Sequence, residues 1–111
     1  MWVNFLISEG EYLPVECPGH LQWSRIENCQ SKTYFMVYTP DNIIIRVEGW
    51  SNSAVMRGII IIMIKIFNLC NPMELQQTGI DFHIKSGLID NLTPMRRDAL
   101  EEMIRRITTL W

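Results

Sequence analysis

Cysteine is scarce in this chain of 111 residues: Cys17, Cys29 and Cys70 are the only three. They are too few and too widely spaced for a four-cysteine zinc site, and an odd number fits poorly with a secreted disulfide framework. A reducing compartment, the cytoplasm, is the expectation. Histidine is scarcer still, and His20 and His83 fall in no His-Glu-x-x-His pair. There is no Gly-x-Ser-x-Gly elbow and no glycine-rich phosphate loop, so neither serine-hydrolase nor nucleotide-binding chemistry is written here. Carboxylates are scattered, which leaves acid–base catalysis without support. Basic residues are not in surplus: the net charge is -2, and a nucleic-acid partner is not expected. The opening MWVNFLISEG lacks a basic n-region and a small-residue cleavage site, so no export signal is expected. The most apolar run, Gly58 to Leu69, is preceded by Arg57 and broken by Lys65. It falls short of the roughly 20 apolar residues that cross a bilayer, so no membrane partner is expected either.

What is present reads as one globular unit over residues 1–111, with 48% hydrophobic and 20% charged residues, near globular averages. Val3, Leu6 and Ile7 recur at helical spacing before Gly10, which predicts a short first helix. The stretch LPVECPGHLQWSRIENCQ is broken by Pro14, Pro18 and Gly19, so an extended loop is expected to wrap the domain and to end at Cys29. Lys32 to Tyr38 and Asn42 to Glu48 are rich in aromatic and β-branched residues and are separated by TPDN, which predicts an antiparallel hairpin. In its second strand Ile43, Ile45 and Val47 share the covered face, with Arg46 and Glu48 opposite. Ser51, Asn52 and Ser53 offer N-caps ahead of a helix apolar on most sides. NPMELQQTG predicts a short helix with Pro72 at its first position, and Asp81 to Lys85 another. Thr93 and Pro94 open a last helix to about Leu110, buried through Leu100, Met103, Ile104 and Ile107. Its pairs Glu101–Arg105 and Glu102–Arg106 are expected to face solvent. The fold class is α+β, a short antiparallel sheet packed against helices.

Two features ask for a chemical reason. Cys29 ends an irregular stretch, precedes a strand and is flanked by Asn28, Gln30 and Ser31, a setting that presents a thiol. Composition alone favours the plainer reading, a small half-buried filler. Arg96 and Arg97 stand in the first turn of the last helix, where a cation opposes the helix dipole at about 0.3–1 kcal/mol each. Either Arg96 reaches a carboxylate or a partner near the Cys29 loop, or both arginines are solvated and Asp98 offsets them.

Four separated segments then resemble one known family in order and spacing. ENCQSKTYF resembles the Gly-Cys-Gln-Ser signature and following aromatic strand of the SufE family, the cysteine desulfuration proteins of iron–sulfur metabolism. GWSNSAVMRGI resembles its Gly-Asp-Ser-Asp-Ala segment and central helix. GLIDNLTPMRRDALEEMIRRI is similar to its closing helix, and LISEGEYLP to the end of its first. The resemblance implies a SufE-like fold and a sulfur acceptor in which Cys29 carries a persulfide. It implies as partners a SufS-like cysteine desulfurase and an iron–sulfur scaffold complex. No cofactor is implied on this chain, since the pyridoxal phosphate belongs to the desulfurase. Asn28, Gln30, Ser31, Trp50, Ser51, Asn52 and Arg96 fall at the positions implied for partner contact. Asn28 stands for the family's glycine, and Trp50 and Asn52 for its acidic residues; Met95 and Ala99 are further departures around Arg96. The chain begins where the family's first helix is already ending, so most of that helix is expected to be missing. Two rival readings remain: a desulfurase-docking regulator that carries no sulfur, which the Trp50 and Asn52 changes would permit, and a freestanding sulfurtransferase or peroxidase.

Overall fold

The isoleucine-rich segment resolves as the helix on which everything else is assembled. A computed structural model describes residues 2–21, 24–26, 31–41, 43–78, 84 and 86–109. The helix α1 covers Trp2–Gly10, and a 3-10 turn Gly19–Leu21 lies on the way to strand β1, Thr33–Tyr38. Strand β2, Arg46–Ser51, is followed by α2, Ala54–Phe67, and α3, Pro72–Thr78. A second 3-10 turn, Ile89–Asn91, precedes the last helix α4, Pro94–Thr108. The helix expected over Asp81 to Lys85 falls largely outside the described residues. The class is α+β, as the sequence implies, and no described helix is long and apolar enough to cross a membrane.

Helix α2 starts where its cap is best. Ser53 has extended backbone, and its side chain accepts a hydrogen bond from the Met56 amide at 3.4 Å, so Ser53 is the N-cap among the three candidates. Its apolar side chains are buried on several sides: Met56, Ile59, Ile60 and Met63 are at most 1% exposed. One face takes the sheet, and another takes α1, which approaches so closely at Gly58 that a Cβ there would lie 2.0 Å from the Leu6 carbonyl oxygen. Helix α4 covers β1 and contributes Ala99, Leu100, Met103 and Ile107 to the same core. Ile104, expected in that stripe, is half-buried at its border.

The hairpin forms with a displaced second strand. β1 pairs antiparallel with β2 from Thr33 opposite Ser51 to Tyr38 opposite Arg46, so β2 begins four residues later than Asn42 and reaches Ser51. Asp41 is the cause on one side, because its carboxylate accepts from the amides of Ile43 and Ile44 at 3.0 and 3.2 Å and winds an Asx turn. On the other side Ile45 is claimed by the end of α2. Its amide donates to the Cys70 carbonyl and its carbonyl accepts from Leu69, both at 2.7 Å. Ile45 and Val47 are buried as expected, but Ile43 is 60% exposed.

The long segment before Cys29 also departs from a plain loop. Beyond the Gly19–Leu21 turn, residues 24–26 run antiparallel to the outer edge of β1. The Ile26 amide donates to the Thr33 carbonyl at 2.8 Å, the Phe35 amide donates to the Ser24 carbonyl at 2.9 Å, and Arg25 bridges Tyr34 between them. Residues 27–32 therefore connect two paired stems.

Candidate functional site

The site is built around those stems. Cys29, Asn28 and Gln30 lie outside the described residues; Ser31 and Lys32 on one side and Ile26 on the other are their described neighbours. On the outgoing stem the Ser31 hydroxyl meets Thr33 Oγ1 at 2.9 Å, and Thr33 Oγ1 meets Ser51 Oγ at 3.0 Å. The Ser51 oxygen also accepts from the Ser53 amide at 3.1 Å. Thr33 and Ser51 are fully buried, so this chain of hydroxyls satisfies polar groups that would otherwise be costly to bury. It also links the stem to the N-terminus of α2. Asn52 holds the same stem from the side: its side-chain oxygen accepts from the Lys32 amide at 3.0 Å, and its own amide donates to the Lys32 carbonyl at 3.1 Å.

The incoming stem is held by a residue read as solvent-facing. Arg106 is half-buried, and its guanidinium donates to the carbonyls of Ser24 at 2.9 Å, Arg25 at 3.0 Å and Phe35 at 2.7 Å. Glu102 accepts from Arg106 Nε at 2.9 Å and fixes the plane of the fork. The same carboxylate accepts two bonds from Arg105, at 2.8 and 2.6 Å, so the Arg105 pairing is with Glu102 and not with the expected Glu101. These hydrogen bonds, Arg105's first, hold the Glu102 carboxyl below its ordinary range against the opposing effect of its partial burial.

Beside Ser31 opens a cleft of about 410 Å³, lined by Ser31, Ser53, Met56, Thr93, Pro94, Met95 and Arg96. The structure thus brings Arg96 and the flank of Cys29 to one cleft, at which α2 and α4 both begin. Among the described residues Arg96 has no carboxylate partner. Other residues named from the sequence lie deeper. Trp50 is 8% exposed; its indole Nε1 donates to the Pro14 carbonyl at 2.9 Å, and its ring lies 5.8 Å from the Arg57 guanidinium carbon. Ser51 is wholly buried, so in this state these two support the site from beneath, while Asn52 is exposed.

Arg57 is the second residue whose role the sequence reading missed. It donates to the carbonyls of Gly10 at 3.1 Å, Ser51 at 3.2 Å, Leu13 at 2.5 Å and Pro14 at 2.9 Å. That fork ties the end of α1 and the following chain to the turn that leads into α2. The signal available was a cation between Met56 and Gly58, at the head of the apolar run.

The other two thiols are ordinary. Cys17 and Cys70 are half-buried, and burial raises the pKa of both, with Glu74 adding to the effect at Cys70. The Cys70 thiol donates to the Ile66 carbonyl at 3.1 Å. His20 is a surface residue paired with Glu48 at 2.8 Å, and His83 lies outside the described residues. No group of three or more His, Cys, Asp or Glu among the described residues could hold a metal ion.

The fold is shared with a known structure. The solution structure of a hypothetical protein from Thermus thermophilus superposes with a TM-score of 0.73 at 16% identity, over 96% of this chain and 79% of that one. The family model for SufE, the Fe-S metabolism associated domain, matches residues 3–111, a span that includes both stems, the cleft and Cys29. By that match over nearly its whole length, the chain belongs to the SufE family of iron–sulfur metabolism.

Proposed function

We propose that this protein is a sulfur acceptor that takes persulfide sulfur from a cysteine desulfurase onto Cys29 and passes it to an iron–sulfur scaffold complex in the cytoplasm. The observation that carries the proposal is the family match across residues 3–111, with the Cys-Gln-Ser segment inside it. Two features of this chain support it. The segment holding Cys29 joins two hydrogen-bonded stems, and Ser31 at its edge opens on the cleft that also holds Arg96. The thiols of Cys17 and Cys70 have raised pKa values, so their thiolate fractions at neutral pH are small.

The chemistry is thiol exchange. The Cys29 thiolate attacks the outer sulfur of the donor's cysteine persulfide, a new S–S bond forms on Cys29, and the old one breaks. The donor cysteine leaves as thiolate and takes up a proton, so no external oxidant or reductant is needed. Emptying the donor frees it for the next turnover, which accounts for stimulation of the desulfurase. Carbon–sulfur cleavage remains with the pyridoxal phosphate of the partner. Arg96 serves as a contact for the desulfurase at the mouth of the cleft.

Incubation with a cysteine desulfurase and free cysteine is expected to add the mass of one sulfur atom to the Cys29 peptide, and Cys29→Ser is expected to abolish both loading and stimulation. Loading confined to Cys17 or Cys70 overturns the proposal. Full stimulation by Cys29→Ser selects instead a docking regulator that carries no sulfur, the reading that the loss of acidic residues at Trp50 and Asn52 would favour.

A further inference from the structure

We infer that Arg106 is a positioning residue for sulfur transfer, an inference that rests on the sulfur-acceptor reading. The described chain on either side of Cys29 is the incoming stem up to Ile26 and the outgoing stem from Ser31, so the points from which the thiol-bearing segment is carried are set by how those two stems are held together. Two backbone hydrogen bonds, which together make the single Arg25–Tyr34 bridge, are a short ladder, and a ladder of that length is marginal by itself in water. Arg106 extends it from the side. Its fork reaches Ser24 and Arg25 on the incoming stem and Phe35 on the outgoing one, at 2.7 to 3.0 Å. The Ser24 carbonyl accepts from Arg106 and from the Phe35 amide, both at 2.9 Å, so the side chain and the ladder share one oxygen. Three carbonyls on two strands need a planar, multi-donor cation, which arginine supplies and lysine does not.

The fork is itself held. Glu102 fixes Nε from one turn back along α4, and the adjacent Met103 and Ile107 are fully buried. Position along α4 is thereby converted into position of the stems. Asn52, bonded to Lys32 in both directions, fixes the far side, so the described chain on both sides of Cys29 is braced. Arg106 touches none of the reacting atoms. Its contribution is pre-organisation: misplacement of a reacting group by about 1 Å can cost on the order of a hundredfold in rate.

The test is single-turnover loading of Cys29 by a persulfide-charged desulfurase, followed by mass spectrometry over a range of desulfurase concentrations. It uses wild type, Arg106→Met, Arg106→Lys and Arg105→Gln. Leu6→Ala, a fully buried residue of α1, is included as a destabilised variant that removes no hydrogen bond to the stems. All are assayed at a temperature where circular dichroism shows each to be folded. Arg106→Met is expected to lower the maximal loading rate about tenfold, Arg106→Lys to recover part of it, and Arg105→Gln and Leu6→Ala to load at the wild-type rate. A merely structural role predicts equal loading by every folded variant, and that result overturns the inference while leaving the sulfur-acceptor reading intact. Should Arg106→Met fail to fold, Arg106→Lys decides: a wild-type rate overturns the role and a reduced one supports it. No loading of wild type overturns the sulfur-acceptor reading, and the role with it.

Discussion

Gly58→Ala isolates the contact that seats the first helix. In an exposed helix this change stabilises by about 1 kcal/mol, since alanine is the better helix former. Here the added Cβ would lie 2.0 Å from the Leu6 carbonyl oxygen, 2.4 Å from its carbonyl carbon and 2.5 Å from its Cα. These are backbone atoms of α1 and no rotamer change moves them. Ordinary contact begins near 3.4 Å, so the helices must separate by more than 1 Å at this point. Such separation disturbs the burial of Leu6, which is 0% exposed, and pulls the Gly10 and Leu13 carbonyls away from Arg57. Overpacking costs about 1–3 kcal/mol, and strained bonds to a charged donor add about 1–2 kcal/mol. Set against the propensity gain, the net is about 1–4 kcal/mol of destabilisation. Urea unfolding followed by far-UV circular dichroism reads this directly, with Gly19→Ala as control because nothing lies within 4 Å of its added Cβ. A Gly58→Ala protein as stable as wild type, or more so, refutes the close approach of α1 to α2.

Arg57→Met keeps the aliphatic stem and removes bonds to four carbonyls, those of Gly10, Leu13, Pro14 and Ser51; about 2–4 kcal/mol of stability should be lost. Limited proteolysis should then cut first between Gly10 and Pro18, and an unchanged cleavage pattern speaks against the anchoring role. Glu102→Gln probes pH. The folded carboxyl is held below its ordinary value of 4.5, so its contribution is fully present above that pH and is lost as pH falls through the depressed value. The stability advantage of wild type over Glu102→Gln should therefore be constant near neutrality and shrink on acidification. Parallel stability curves down to acid unfolding contradict the assignment.

Much of the architecture was legible because local chemistry and burial agree. Pro72 and Pro94 open α3 and α4 where N1 proline is expected, Gly10 ends α1, and a serine among Ser51–Ser53 caps α2. The apolar stripe of α4 is read directly from the spacing of Leu100, Met103 and Ile107. The second strand was not legible in the same way, since Ile43 and Ile45 have strand propensity whether or not a partner strand lies beside them. Asp41 and the Leu69–Cys70 backbone decide that they lie outside it.

The sequence by itself determined the class of the fold and the order of its described helices, because periodicity, caps and motif order are properties of neighbours along the chain. Tertiary structure alone decided what Arg57 and Arg106 do. A guanidinium four residues from a glutamate looks like a solvated ion pair until a distant backbone brings its carbonyls into reach, and Arg106 finds those of Ser24, Arg25 and Phe35 far earlier in the chain. The same holds for Trp50, a surface candidate by motif position and a buried indole in the fold, because its partner Pro14 lies on a segment that only packing brings near.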